Sequence, residues 1–246
     1  MIAARRIVFD AGLYDPIIHA VAGCLVDAVQ RRPSHVPAVL DCGCGEGTYL
    51  AAAVAALRVA DHTNNDHANN GREDGSWGDG SWGDGGWGID ISKPAVRLAA
   101  RRHRDLRFAV ASTYALPFDD HCFDVVLSVF SPRPFNEMMR VLAPGGTAVV
   151  VTPGPDHMRE FKSVIYDDPR RHHEPTDNHT DRWPIDPNSV IPITFTVSLD
   201  DPGSRMALLE MTPFWWSAPP VDRAAIAESV SAVTVDMRIC VYERSE

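Results

Sequence analysis

The stretch that decides the fold is Ala38–Leu50, which reads Ala-Val-Leu-Asp-Cys-Gly-Cys-Gly-Glu-Gly-Thr-Tyr-Leu. Its apolar start predicts a buried strand that ends at Asp41. Three glycines follow at alternate positions, namely Gly43, Gly45 and Gly47. The alanine-rich segment 48–57 then predicts a helix. Strand, glycine turn and helix together form the opening unit of a doubly wound nucleotide-binding sheet.

The spacing of the glycines limits which class of ligand the loop can bind. A dinucleotide site needs G-x-G-x-x-G and a P-loop needs G-x-x-x-x-G-K-[ST], whereas no Lys follows Gly47 here. The pattern D-x-G-x-G-x-G after a first strand resembles motif I of the class I S-adenosylmethionine (SAM) methyltransferases. The resemblance implies S-adenosyl-L-methionine as the cofactor. A glycine turn in another α/β domain is the alternative, because this fold is widely shared.

A second acidic residue follows the next predicted strand, Gly88–Ile91. In this architecture an acid at the end of the second strand hydrogen-bonds the ribose hydroxyls of a nucleotide. Asp90 is therefore the predicted ribose acceptor, and the alternative is that it only caps a turn. Ser92 is suited to cap the helix that follows. The loop after the third strand, 111–118, is expected to frame the adenine.

Strands and helices alternate along the chain, which predicts a mostly parallel sheet. The later predicted strands are 106–110, 123–130, 147–152, 191–199 and 233–242, and the main helices are 16–29, 48–57, 93–103, 136–142, 156–165 and 203–210. The predicted fold class is α/β, a Rossmann-like methyltransferase with a seven-stranded sheet whose last strand is antiparallel.

The length of 246 residues suits a single methyltransferase domain, 1–246. Residues 1–35 are expected to form a helical lead-in. Residues 61–87 carry a tandem Gly-Ser-Trp-Gly-Asp repeat, and we interpret them as a flexible insertion; a binding loop of three tryptophans is the alternative. Residues 166–190 are expected to form a polar loop.

Composition argues against several other classes of function, namely a basic nucleic-acid-binding protein, a metalloprotein and a membrane protein. The formal net charge is −10, about half of which lies in the 61–87 insertion, so no broad basic footprint for nucleic acid is evident. The five cysteines show no C-x-x-C spacing, and the histidines of 172–179 have no recognisable metal spacing, so no metal site is expected. No run is long and apolar enough for a membrane span, and we expect a cytoplasmic protein.

Narrower motifs identify the chain as similar to the bacterial 23S ribosomal RNA guanine-N1 methyltransferases, including those that confer macrolide (tylosin-type) resistance. They include 10–16 (Asp-Ala-Gly-Leu-Tyr-Asp-Pro), 40–47, 88–96, 116–118, 129–133 and 151–157, with 152–157 reading Thr-Pro-Gly-Pro-Asp-His. The resemblance implies cofactor contacts from Tyr14, Gly45, Glu46 and His157. Together with motif I and the strand ends, the expected cofactor-binding set is Tyr14, Asp41, Gly43, Gly45, Glu46, Gly47, Asp90, Ile91, Ser112, Leu116 and His157. The family's N-terminal zinc ribbon, which precedes the methyltransferase domain, has no counterpart in these residues.

The resemblance also implies transfer of the SAM methyl group to guanine N1 of ribosomal RNA. Ser131, Pro132 and Arg133 are expected to contact the substrate, because they follow the fourth strand. Trp215 and Trp216 either stack on a flipped base or pack in the core. No residue is identified as the general base. Two alternatives are a small-molecule methyltransferase and a non-catalytic SAM-binding protein; the oligomeric state stays open, with a homodimer among the options.

Overall fold

The structure is a computed structural model. It describes residues 1–30, 37–65, 85–166, 183–219 and 221–245. The strands are β1 Ala38–Cys42, β2 Gly85–Asp90, β3 Arg107–Val110, β4 Phe123–Val129, β5 Leu142–Pro153, β6 Ser189–Ser198 and β7 Ala232–Glu243. The helices are α1 Ile2–Asp10, α2 Asp15–Gln30, α3 Thr48–Asn65, α4 Lys93–Arg102, α5 Phe135–Val141, α6 Arg159–Ile165, α7 Pro202–Glu210, α8 Phe214–Ser217 and α9 Arg223–Ser229.

The strands form one seven-stranded sheet in the order β3-β2-β1-β4-β5-β7-β6. Strands β1 to β5 pair in parallel, and the last strands are antiparallel. The predicted fold class is therefore confirmed. Since β1 pairs with β2 on one side and with β4 on the other, the strand order reverses beside β1. Ligands in such sheets bind at the carboxyl ends of the strands next to this reversal.

The described residues pack as two compact units. The first, which we call the glycine-loop unit, contains those within 18–151, 178–190 and 239–246. The second, which we call the His157 unit, contains those within 1–17, 152–177 and 191–238. The core of the glycine-loop unit is apolar; Leu40, Ile89 and Phe123 are among its fully buried side chains. This core fixes the strands whose ends carry the predicted site.

Several elements differ in extent from the prediction. Helix α3 continues to Asn65, and β2 begins at Gly85. Both ends of the predicted insertion therefore belong to regular elements, and Trp87 lies within β2. Trp183, predicted to be in a polar loop, is buried and packs on Phe135. Helices α1, α8 and α9 were not individually predicted.

Two predicted features lie outside the described residues: the repeats within 66–84 and the His-containing tract within 167–182. Among the residues that the structure describes, no single helix is long and apolar enough to cross a membrane; only α1 and α2 taken together, across their break, have the length and composition.

Candidate cofactor site

The glycine loop after β1 is held over the end of β2. The amides of Gly43 and Cys44 both donate to the carbonyl oxygen of Ile89, at 2.8 and 2.9 Å. Gly43 has φ +78°, a conformation that favours glycine, and a Cβ built there would lie 2.3 Å from Cβ of Ser131. Neither the loop's backbone conformation nor its packing therefore admits a side chain at position 43.

Asp90 lies at the carboxyl end of β2 and links the glycine loop to α4. Its Oδ2 accepts the Gly45 amide at 3.0 Å, and its Oδ1 accepts the Ser92 amide at 2.7 Å. Ser92 in turn caps α4 by accepting the Ala95 amide at 3.4 Å. An ionised carboxylate oxygen has about two acceptor positions, so each oxygen of Asp90 retains capacity for a ligand hydroxyl. The turn-capping alternative and the ribose-acceptor role are therefore compatible.

Apolar side chains are exposed beside this carboxylate. Ile91 is 79% exposed, although large aliphatic side chains are usually buried. Val110, the register partner of Asp90 on β3, is also exposed. In the loop that follows, Ser112 accepts the amide of Tyr114 at 3.2 Å, and the Tyr114 ring is exposed. The carboxyl end of β2 and β3 thus combines one acid with apolar surface, as a nucleoside requires.

The loop 112–118 is anchored by two side chains of α5. Glu137 Oε2 accepts the Leu116 amide at 2.7 Å. Arg140 donates to the carbonyl oxygens of Leu116 and Phe118, at 3.0 and 2.8 Å. It also pairs with Glu137 at 2.9 Å. The side chain of Leu116 is in the core and its backbone groups are both engaged, so Leu116 holds the loop in place.

These hydrogen bonds determine the ionisation of the two anchoring groups. The pKa of Glu137 lies below its ordinary value, chiefly because Arg140 hydrogen-bonds its ionised form. The pKa of Arg140 is raised for the same reason, with Asp120 adding to the effect. Both groups are therefore charged throughout the neutral range.

The remaining motif I residues lie inside the fold. Asp41 is 1% exposed, and Glu46 is also buried. Gly47 has φ +79°, and a Cβ there would lie 2.8 Å from the Phe108 ring. Gly47 therefore allows the loop to approach β3 closely, which supports the loop's shape.

The predicted substrate residues occupy different environments. Ser131 donates to the Cys42 carbonyl at 2.5 Å and shares a hydrogen bond with Ser128 at 2.9 Å, so its hydroxyl supports the glycine loop from within. Pro132 is exposed and Arg133 is half-buried. The Arg133 carbonyl accepts the indole N–H of Trp183 at 3.0 Å. Of these three predicted residues, Pro132 has the most exposed surface.

In the His157 unit, one acidic residue of β7 organises the segment that carries His157. Asp236 is 8% exposed. Its carboxylate accepts the Asp156 amide at 2.9 Å and the Thr194 hydroxyl at 3.1 Å. Its own amide donates to Nδ1 of His157 at 3.4 Å, which favours the neutral tautomer with the proton on Nε2. Asp236 thus holds both the backbone of this segment and one ring nitrogen of His157.

The same strand contacts the start of α6. Thr234 accepts the Met158 amide at 2.7 Å. Its own amide and hydroxyl donate to Glu160 at 2.8 and 2.6 Å. A Cβ on Gly154 would lie 2.4 Å from the Asp236 carboxylate, so glycine is required there. We call Gly154, Asp156, His157, Glu160, Thr234 and Asp236 the β7 clamp.

Tyr14, also in this unit, is 1% exposed and packs edge-on against Phe9 with ring centroids 6.0 Å apart. In this conformation its ring has almost no surface for a ligand. Trp215 lies under the Arg223 guanidinium, 4.1 Å from the ring centroid, whereas Trp216 is 69% exposed. The core-packing alternative therefore does not apply to Trp216.

Sequence reasoning missed the anchors Glu137, Arg140 and Asp236. Asp236 could have been noticed in the sequence, because it is the one charged residue in 233–237, whose other residues are two valines, a threonine and a methionine. Glu137 and Arg140 are spaced for an ordinary ion pair within a helix, and nothing in that spacing indicates the loop they bind. In the part of the chain that the structure describes, no group of His, Cys, Asp and Glu side chains could hold a metal ion.

Comparison with known proteins identifies the class of this domain. Residues 37–188 match the family model described as "Methyltransferase domain". A solved Bacillus subtilis protein, YcgJ, has the same fold with a TM-score of 0.53, at 13% identity over 93% of this chain and 99% of that chain. The fold and the matched family define a class I SAM-dependent methyltransferase.

Two relatives define the family further. The "Putative 23S rRNA (guanine-N(1)-)-methyltransferase YxjB" of B. subtilis is 31% identical over 97% of this chain and 77% of its own length. The "23S rRNA (guanine(748)-N(1))-methyltransferase" of Streptomyces fradiae is 35% identical over 67% of this chain and 50% of its own length. The chain belongs to the 23S rRNA (guanine-N1)-methyltransferase family.

Proposed function

We propose that this protein transfers the methyl group of SAM to N1 of a guanine in 23S ribosomal RNA, in the bacterial cytoplasm. The observation that carries the proposal is the end of β2, where Asp90 is fixed by the Gly45 amide beside an exposed Ile91. That arrangement suits a ribose and an adenine. Family membership supports the choice of acceptor.

The residues fit the cofactor. The glycine loop brings backbone close to the strand ends without side chains in the way. Asp90 would accept the ribose hydroxyls, while Ile91 and the loop of Ser112 would contact the adenine. From the resemblance of the stretch 152–157 to the family motif, His157 is proposed as a further cofactor contact. When bound, SAM supplies an electrophilic methyl group on a sulfonium.

The chain's own contribution is chiefly alignment. Holding donor and acceptor in line can supply much of the barrier reduction for a transfer between two bound molecules. Guanine N1 carries a proton that must leave during the reaction, so an acceptor has to be close to it. Arg133 and Pro132, after β4, are the proposed substrate contacts.

The test is a methylation assay with labelled SAM and a transcript that spans guanine 748 of 23S rRNA, the position in the name of the S. fradiae relative. A methyl group on N1 blocks base pairing, so reverse transcription should stop one nucleotide before it. Asp90→Ala should weaken SAM binding and reduce the rate. Wild-type protein that fails to bind SAM in calorimetry would overturn the cofactor assignment.

The formal charge of −10 keeps a low-molecular-weight acceptor as a competing function. Protein that binds SAM but leaves full-length 23S rRNA unmodified, while it methylates a small-molecule extract, would establish that alternative. Protein that binds SAM and methylates neither pool would indicate a non-catalytic SAM-binding protein.

A further inference from the structure

Helix α4 carries four basic residues and no acidic one, although the whole chain is acidic. The segment 93–107 contains six cations and one acid, Asp105; the cations are Lys93, Arg97, Arg101, Arg102, Arg104 and Arg107. No acidic residue occurs within α4 itself. Positive charge is therefore concentrated locally in the glycine-loop unit.

Three of these cations share one face of the helix. Lys93, Arg97 and Arg101 are spaced four residues apart, so they rise along one side of α4 in steps of about 6 Å. All three are exposed. The opposite face is buried through Ala95, Val96 and Ala99. Arg104, in the turn after α4, is exposed as well; we call Lys93, Arg97, Arg101 and Arg104 the α4 stripe.

Within the described part of the chain, no acidic side chain neutralises the stripe. None of its four members forms an ion pair with a residue that the structure describes. Asp105 is engaged by Arg58 at 2.6 Å, and this hydrogen bond lowers the pKa of Asp105, which keeps it ionised and paired. The other two cations of the segment are placed differently: Arg102 lies 4.0 Å from Glu46, and Arg107 lies over the Trp87 ring.

We propose that the α4 stripe binds the phosphate backbone of the ribosomal RNA substrate. Cations repeated along a rigid helix match a polyanion, and phosphate contacts of this kind position a nucleic acid without reading its sequence. An anionic membrane is a poorer fit, because the exposed face of α4 has no large apolar side chain to insert. The inference rests on the proposed RNA substrate and adds a surface outside the cofactor site.

The experiment compares two triple variants of the full chain, Arg97→Gln/Arg101→Gln/Arg104→Gln and Arg97→Lys/Arg101→Lys/Arg104→Lys. Binding to the end-labelled 23S rRNA transcript is measured by fluorescence anisotropy between about 50 and 200 mM salt. We expect the Gln variant to lose affinity by on the order of tenfold or more, and the slope of log affinity against log salt to fall by about two to three. The Lys variant keeps the charges and should keep both values near wild type.

SAM affinity, measured by calorimetry, should be unchanged in both variants, which shows that the cofactor site is intact. RNA affinity and salt slope of wild-type size in the Gln variant would overturn the α4 stripe as the RNA surface. Equal losses in the Gln and Lys variants would also overturn it, because charge would then not be the cause. Wild-type protein that binds SAM but not the transcript would instead refute the proposed substrate.

Discussion

Arg140→Ala should weaken both the fold and the cofactor site, because one side chain anchors the loop 112–118. Arg140 donates to the carbonyl oxygens of Leu116 and Phe118. It also donates twice to Glu137 and once to Asp120. Removing the guanidinium leaves two backbone acceptors and two carboxylates without these donors.

The magnitude follows from these contacts. A net contribution of about 1 kcal/mol per hydrogen bond applies to the two carbonyls and to the pair with Glu137. The Asp120 contact adds little, because the Asp120 side chain is 65% exposed. We therefore expect the free energy of unfolding to fall by about 2 to 4 kcal/mol. For a chain of this size that corresponds to a decrease in Tm of roughly 4 to 16 °C.

Urea denaturation measures the stability, and calorimetry well below the transition measures SAM binding. We expect the affinity for SAM to fall by about tenfold, or about 1.4 kcal/mol, since the loop loses its carbonyl anchors while Glu137 still holds the Leu116 amide. Arg58→Ala is the matched control. Its side chain is 32% exposed, close to the 30% of Arg140, and it pairs with the exposed Asp105, so the cost should be about 1 kcal/mol or less with no change in SAM affinity.

Two results would refute the reasoning about Arg140. A loss of stability with SAM affinity within twofold of wild type would mean that the loop does not contact the cofactor. Stability within about 0.5 kcal/mol of wild type would mean that the network itself contributes little.

Three further predictions concern other parts of the molecule. Asp236→Ala should weaken SAM binding more than Thr234→Val does, because Asp236 acts by holding the His157 segment. In a His157→Ala background, Asp236→Ala should therefore cause no further loss of SAM affinity. Additive losses in the double variant would contradict this. Gly43→Ala should lower the free energy of unfolding, measured in urea, by about 2 to 4 kcal/mol, because position 43 has a positive φ and the added Cβ would overlap Ser131. Gly23→Ala in α2 is the control. No atom lies near its added Cβ, so this variant should be neutral or slightly stabilising. Burial lowers the pKa of Lys162, which means that its charged form is less stable in the folded state than in the unfolded state. Lys162→Met should therefore stabilise the protein at neutral pH, where the lysine is charged when unfolded. The gain should shrink as the pH rises from the lowered pKa towards about 10.4, and a gain independent of pH in denaturation curves would exclude this cause.

Local spacing was sufficient to predict the start of the sheet. The alternating glycines after Asp41 and the acid after the second strand each depend on neighbours a few residues away. The structure has the predicted strand, turn and helix, and it places Asp90 at the end of β2. Such features can be predicted from the sequence because the backbone conformation of a turn restricts which residues can occupy that turn.

The supporting contacts could not be predicted in the same way. Ser131 reaches the Cys42 carbonyl across 89 positions, and Asp236 reaches the Asp156 amide across 80. A hydrogen bond between distant segments has no period in the sequence, so a serine after β4 resembled a substrate ligand. Only the packed sheet shows that its hydroxyl is already engaged.

The predicted ligands of the glycine-loop unit fall into two groups: those already engaged within the fold and those with capacity left for a ligand. The hydroxyl of Ser131 and both backbone groups of Leu116 are used within the fold, so they shape the site indirectly. Asp90 retains acceptor capacity on both carboxylate oxygens, and Ile91 beside it is exposed. A nucleoside bound here would therefore lie with its ribose at Asp90 and its base against Ile91. That orientation would direct the rest of the cofactor towards the glycine loop, whose path depends on the positive φ of Gly43 and Gly47.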